Sequence, residues 1–169
     1  LSKSKYGNRT LTLLSIPDWI VYTAIVTLVS EEAAAKESDL YKFTLFSNRP
    51  LSHSGGRRPN FFRHWNTQYA KFNKASKEYV GQNFHYLAEV DIASFYDFID
   101  HDLLLEFVKN YFRDIYALEL LEHMLKSWSS SEGIRLFSHG IPQGPEASAF
   151  LADMFLYSLD RYALTRTKS

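Results

Sequence analysis

The chain has 169 residues, of which 46% are hydrophobic and 22% charged, so a packed core is expected and a disordered chain is not. Formal net charge is zero, whereas nucleic-acid-binding proteins are usually basic, so any nucleic-acid contact would use a local patch. The absence of cysteine excludes disulfides, cysteine-ligated zinc and thiol catalysis, and is compatible with a cytoplasmic protein. The longest apolar stretch, Trp19–Val29, is too short to span a bilayer, so no membrane partner is expected.

The first half of the chain is predicted to be mainly helical. Ser15 to Asp18 (Ser-Ile-Pro-Asp) is typical of a helix start, because Ser caps and Pro suits the first turn. Its predicted apolar face comprises Ile20, Val21, Ala24, Ile25, Leu28 and Val29. Residues 30–40 are expected to be helical and exposed, and residues 41–46 alternate like a strand. A loop over residues 48–60 then leads to an aromatic, basic helix over residues 61–79.

The second half mixes predicted strands and helices. His85–Val90 is a short apolar run that favours a strand, and Arg135–Ser138 is a second candidate strand. Asp100 is predicted to cap a helix that runs to about residue 112, and another helix is predicted over residues 115–128. A long amphipathic helix is expected after Pro145. Strands and helices joined by short links predict an α+β domain.

The basic residues are concentrated between residues 49 and 79, where Glu78 is the only acid. Such a patch can bind phosphates in a protein of zero net charge. Arg57 and Arg58 lie in the predicted loop, and they are either contacts to nucleic acid or solvated charges. The aromatic content of 16% has two alternative interpretations, a core rich in aromatic rings or a surface that stacks on bases.

Asp91 ends the strand predicted at residues 85–90, and neither Val90 nor Ile92 is a turn former. A carboxylate at such a position has to be solvated in a cleft or paired with a cation. Mg²⁺ is a natural partner, because it prefers hard oxygen ligands and keeps substrate phosphates in its coordination shell. The alternative is an ordinary helix cap or a surface carboxylate.

Gly140–Ser148 is a tight loop that opens a helix. Gly140 and Gly144 allow the backbone to approach a ligand closely, and Pro142 stiffens the loop. Gln143 offers donors and an acceptor at a fixed place. The alternative is a plain turn before a helix.

Together the two segments resemble the nucleotide-binding motifs of bacterial reverse transcriptases, the family of group II intron and retron enzymes. Residues 91–101 (Asp-Ile-Ala-Ser-Phe-Tyr-Asp-Phe-Ile-Asp-His) are similar to the first catalytic motif. Residues 140–148 (Gly-Ile-Pro-Gln-Gly-Pro-Glu-Ala-Ser) and the helix after them are similar to the next one. Residues 9–24 resemble the start of the fingers, closest to the abortive-infection and defence-associated branch.

The resemblance implies the fold of a right-hand polymerase, helix-rich with a small antiparallel sheet. Residues 1–80 would be the fingers region, and residues 81–169 a partial palm. The full enzyme would be an RNA-directed DNA polymerase that uses an RNA or DNA template-primer, deoxynucleoside triphosphates and two Mg²⁺ ions.

The resemblance also implies roles for individual residues. Asp91 would hold both metals, and the backbone carbonyl of Ile92 would be a further ligand. Tyr96 would be the steric gate that excludes a 2′-hydroxyl. Gln143, with Gly144, would line the nucleotide and template pocket. Arg9 would correspond to the fingers arginine that binds the triphosphate. The alternative interpretation of Arg9 is a solvated surface charge.

The chain departs from the family pattern in one respect. The family site needs two more carboxylates in a Tyr-x-Asp-Asp hairpin, and no Asp-Asp pair occurs in this sequence. We therefore expect a fragment that binds metal weakly and does not polymerise by itself. Two other hypotheses stay open: template-independent DNA synthesis in phage defence, and a non-catalytic palm-like module that binds nucleic acid or protein.

Overall fold

The structure, a computed structural model, describes residues 12–51, 61–82, 84, 86–129 and 138–167, and the backbone of residues 2–4 and 7–8. A short hairpin pairs β1 (Ser2–Ser4) with β2 (Gly7–Asn8) in antiparallel orientation. The described residues then form eight helices: α1 (Ile16–Lys36), α2 (Ser38–Phe43), α3 (Trp65–Gly81), α4 (Phe95–Phe98), α5 (His101–Lys109), α6 (Ile115–Trp128), α7 (Glu146–Phe155) and α8 (Tyr157–Thr167). None of the described helices is long and apolar enough to cross a membrane.

Helix α1 begins where its capping residues predict. The backbone N–H of Asp18 donates to Ser15 Oγ at 3.2 Å, which satisfies one of the free donors of the first turn. The predicted apolar face of the helix is partly wrong, because Ile20 and Leu28 are 64% and 51% exposed. Its buried face instead includes Tyr22, Ile25, Val26, Val29 and Ala33.

The core lies between helices. Helix α1 packs against α6 and α7, and α5 packs against the same two helices, so elements from both halves of the chain share one core. Leu104, Leu121, Phe150 and Leu151 are fully buried there. Burial of such side chains against neighbouring helices is the main stabilisation of an all-helical layer.

The N-terminal caps of α5 and α6 orient these two helices. Asp100 Oδ1 accepts from the backbone N–H of Leu103 at 2.9 Å, so the helix start predicted at Asp100 is confirmed. Asp114 caps α6 in the same way. The single long helix predicted after Pro145 is instead divided at Leu156 into α7 and α8.

The prediction of an α+β domain with a small antiparallel sheet is wrong. From residue 12 onward the described segments are helical or irregular and contain no strand, and the terminal hairpin is not the expected palm sheet. Residues 38–43, which overlap the strand predicted at 41–46, form α2. Residues 86–92 form neither helix nor strand, and Tyr86 and Val90 are 96% and 87% exposed. The physical reason is that a strand needs a neighbour for its backbone groups, and no described segment provides one there. Residues 135–137 of the second candidate strand lie outside the described residues.

Candidate functional site

The two segments singled out by sequence meet through their backbones. The N–H of Ile141 donates to the carbonyl of Tyr96 at 2.9 Å, and the N–H of Gly140 donates to the carbonyl of Ile99 at 2.8 Å. These bonds hold the start of the Gly/Pro loop against the short helix α4. The structure therefore places the aromatic residue of the first segment beside the loop of the second.

Glycine is required where the loop approaches α4. Gly140 has a φ of +93°, and a β-carbon there would lie 3.4 Å from the carbonyl oxygen of Asp97. Gly144 has a φ of +129° but faces open space. Positive φ angles strain residues with a side chain, so both positions favour glycine, and Gly140 does so for two reasons.

His101 fixes the loop from the other side. It is fully buried at the start of α5, and its Nε2 lies 2.6 Å from the carbonyl oxygen of Gly140. Its backbone N–H donates to the carbonyl of Ser138 at 2.8 Å. Next to it, His139 Nε2 lies 3.4 Å from Asp100 Oδ2. His101 therefore acts as a structural anchor of the loop.

Gln143 is held by both its side chain and its backbone. Its Nε2 donates to Asp97 Oδ1 at 2.8 Å, and its carbonyl accepts from the N–H of Thr12 at 3.1 Å. The first bond orients the amide and leaves Oε1 without a hydrogen-bond partner among the described residues. An oriented amide with one open acceptor is suited to reading a ligand that carries donors.

The carboxylate of the first segment lies outside the packed core. Asp91 is exposed, in a segment that forms neither helix nor strand, and Ile92 is 44% exposed. Ser94, with a φ of +50°, then turns the chain into α4. Tyr96 is half-buried and packs against the core. The structure thus brings Tyr96, Gly140 and Gln143 together, whereas Asp91 is exposed to solvent five residues before Tyr96.

A cavity of about 410 Å³ is bounded by parts of both segments, and its described lining residues do not include Tyr96, Gln143 or Gly144. Phe98 and Trp128 supply aromatic surface, and Asp97 and His139 supply polar groups. Aromatic walls with a few polar groups suit a planar ligand that stacks and hydrogen bonds.

Helix α7, which follows the loop, is tied to α1 in the core. Ser148 Oγ and Tyr22 Oη lie 2.9 Å apart, and both residues are fully buried. Burial raises the pKa of Tyr22 above its usual value, so its hydroxyl stays protonated across the physiological range. Phe150 adds a stacked contact with Phe62, with ring centroids 5.6 Å apart. The Gly/Pro loop therefore leads directly into a helix, α7, that is held in the core by these contacts.

The described residues do not form a two-metal centre by themselves. Among them, no group of three His, Asp or Glu residues is arranged to hold a metal ion. Asp97 binds Gln143 and Asp100 caps α5, which leaves Asp91 as one hard-oxygen ligand. One carboxylate does not fit a pair of Mg²⁺ ions, so we derive no catalytic step through magnesium.

Three predicted contact residues, Arg9, Arg57 and Arg58, lie outside the described residues. Comparison of the chain with protein-family models found no match, and comparison with curated proteins found none either.

Proposed function

We propose that this chain is part of a bacterial reverse transcriptase, an RNA-directed DNA polymerase. The observation that carries the proposal is the contact between the two motif-like segments. Ile141 and Gly140 donate backbone hydrogen bonds to Tyr96 and Ile99, at 2.9 and 2.8 Å. Segments far apart in sequence thus lie side by side, as the parts of one nucleotide pocket must.

In this proposal the residues divide the work by chemistry. Tyr96 lies beneath the incoming sugar and excludes a 2′-hydroxyl by steric contact. Gln143, oriented by Asp97, lines the nucleotide and template pocket with Gly144. Asp91 and the carbonyl of Ile92 would contribute to a Mg²⁺ site only together with further carboxylates. The isolated chain is accordingly expected to bind metal weakly and not to polymerise.

The proposed partners are deoxynucleoside triphosphates and an RNA or DNA template-primer. Arg9 is assigned to the triphosphate, because a guanidinium forms paired hydrogen bonds with phosphate oxygens. Arg57 and Arg58 are assigned to the nucleic-acid backbone, where cationic side chains contribute most of the affinity. The proposed biological setting is phage defence.

The proposal is tested by primer extension with the complete natural protein that carries this sequence. We expect DNA synthesis on an RNA template, and we expect Tyr96→Ala to increase ribonucleotide incorporation relative to deoxynucleotides. Tyr96→Phe is the matched control, because it keeps the ring and should keep the discrimination. An unaltered sugar preference in Tyr96→Ala would remove the gate assignment.

The same assay separates the alternatives. Synthesis that persists when the template is omitted would favour the template-independent polymerase. No synthesis under either condition would favour a palm-like module that binds nucleic acid or protein without catalysis.

A further inference from the structure

A second cavity, of about 450 Å³, lies away from the two motif-like segments. It is bounded by the loop after α2, by α3 and by the junction of α7 and α8. One side is aromatic: Phe46 and Tyr69 flank Phe72, with ring centroids 5.8 and 6.3 Å from it. The aromatic rings provide flat, weakly hydrated surface on which a planar group can stack.

An unpartnered amide lines this cavity. Gln68 is 2% exposed, and neither its Oε1 nor its Nε2 has a hydrogen-bond partner among the described residues. Buried polar groups are normally hydrogen-bonded, because an unpaired one loses its interactions with water and gains nothing in return. An amide left open in a cavity wall is therefore a candidate contact for a polar ligand.

Two carboxylates line the same cavity. Asp153 Oδ2 accepts from Ser47 Oγ at 2.6 Å and from Asn48 Nδ2 at 2.8 Å. Its Oδ1 accepts no hydrogen bond from the described residues. Burial raises the pKa of Asp153, and the nearby charge of Asp160 raises it further. Burial also raises the pKa of Asp160.

The described residues supply no cation within ion-pair distance of Asp153 or Asp160. A buried carboxylate is stabilised in its charged form by a neighbouring positive charge. The two acids and the open amide oxygen of Gln68 thus give this cavity hydrogen-bond acceptors in addition to its aromatic rings. An anionic ligand would be repelled by the two acids, since like charges disfavour each other in a partly desolvated site.

We propose that this cavity binds a guanidinium group. A guanidinium is planar, permanently charged and carries five N–H donors in a fixed fork. It stacks on aromatic faces while its edge donates to carboxylate and amide oxygens, a combination that an ammonium does not offer. The source is either a small guanidino compound or an arginine side chain of a peptide. The proposal is independent of the polymerase assignment, because the cavity shares no residue with the Asp91 and Gln143 segments.

The test is isothermal titration calorimetry of the full chain, which measures its affinity for four small probe molecules. Butylguanidinium and N-acetylarginine N-methylamide represent the two sources, and binding of either supports the proposal. Butylammonium has the same charge without the fork, and butylurea has the same shape without the charge. We expect butylguanidinium to bind about tenfold or more tightly than butylammonium, and butylurea not to bind.

Variants locate the site. Gln68→Leu and Asp160→Asn should each weaken butylguanidinium binding about tenfold or more, since each removes an acceptor for a charged donor. Glu119→Gln, on the exposed side of α6, is the matched control and should bind as the wild type does. Equal affinity for butylurea and butylguanidinium, no binding of either guanidinium probe, or unchanged affinity in both site variants would overturn the proposal. The probe comparison on the wild-type chain requires no variant to fold.

Discussion

The buried hydrogen bond between Tyr22 and Ser148 joins α1 to the helix that carries the Gly/Pro loop. The two hydroxyl oxygens lie 2.9 Å apart, and both residues are fully buried. Tyr22→Phe removes one hydroxyl and leaves that of Ser148 without its partner. The expected loss in free energy of unfolding is about 1–3 kcal/mol, the usual cost of an unpaired buried polar group. Ser148→Ala strands the hydroxyl of Tyr22 and should have a similar cost.

The double variant separates the bond from the packing. Removing both hydroxyls leaves no unpaired group, so the combined loss should be smaller than the sum of the single losses by about 1 kcal/mol or more. Urea unfolding followed by circular dichroism measures each free energy. Tyr116→Phe, at a side chain that is 80% exposed, is the matched control and should change stability by less than about 0.5 kcal/mol. Additive losses in the double variant, or an unchanged free energy of unfolding in Tyr22→Phe, would show that the Tyr22–Ser148 hydrogen bond does not stabilise the fold.

Three further outcomes are expected in stability measurements. Gly140→Ala should destabilise by about 1–3 kcal/mol and by more than Gly144→Ala, because only Gly140 combines a positive φ with a close backbone neighbour. Arg161→Leu should destabilise by about 1–3 kcal/mol, because it removes the cation that pairs with Glu37, which is 6% exposed. Because the pKa of Tyr22 is raised in the folded state, its contribution is complete below about pH 10 and is lost as pH rises above that value. Tyr22→Phe should therefore show a shallower loss of stability in alkali.

Each of these outcomes has a result that would contradict it. Equal effects of Gly140→Ala and Gly144→Ala would show that the contact with α4 adds nothing. Arg161→Leu should lower the free energy of unfolding by more than Arg113→Leu, which changes an exposed arginine. Similar losses would show that the ion pair does not stabilise the fold. Identical alkaline profiles of wild type and Tyr22→Phe would mean that the buried hydroxyl does not titrate with unfolding.

Local signals in the sequence predicted helix starts well. Ser15 and Asp100 cap α1 and α5 as expected, since a cap depends on residues within one turn. The helix predicted over residues 115–128 is α6, whose buried residues include Leu121 and Leu125. In these segments side-chain chemistry and periodicity agree, and the tertiary structure does not override them.

Features that depend on distant partners could not be predicted in the same way. Residues 41–46 alternate like a strand, yet Tyr41 lies in α2, where its ring packs edge-on against Tyr157 at 6.1 Å. Residues 86–92 have the composition of a strand but have no described neighbour to pair with. Alternating apolar and polar residues indicate a half-buried segment. Whether that segment forms a strand depends on the elements that pack against it.

The candidate site shows the same division. The turn chemistry of Gly140 and the polar side chain of Gln143 are visible in the sequence. The partners of these residues are not visible: Asp97 holds the Gln143 amide, and His101 holds the Gly140 carbonyl. The functional roles of Asp91 and Tyr96 stay predictions from the resemblance.

Asp91 is proposed to be a catalytic carboxylate of an RNA-directed DNA polymerase. RNA-templated primer extension by the complete natural protein tests this role when Asp91→Asn is compared with Glu89→Gln. Both changes remove an exposed carboxylate from residues 86–92, but only Asp91 is assigned to the metal. We expect background synthesis in Asp91→Asn and wild-type synthesis in Glu89→Gln. Wild-type synthesis in Asp91→Asn would contradict the proposed role.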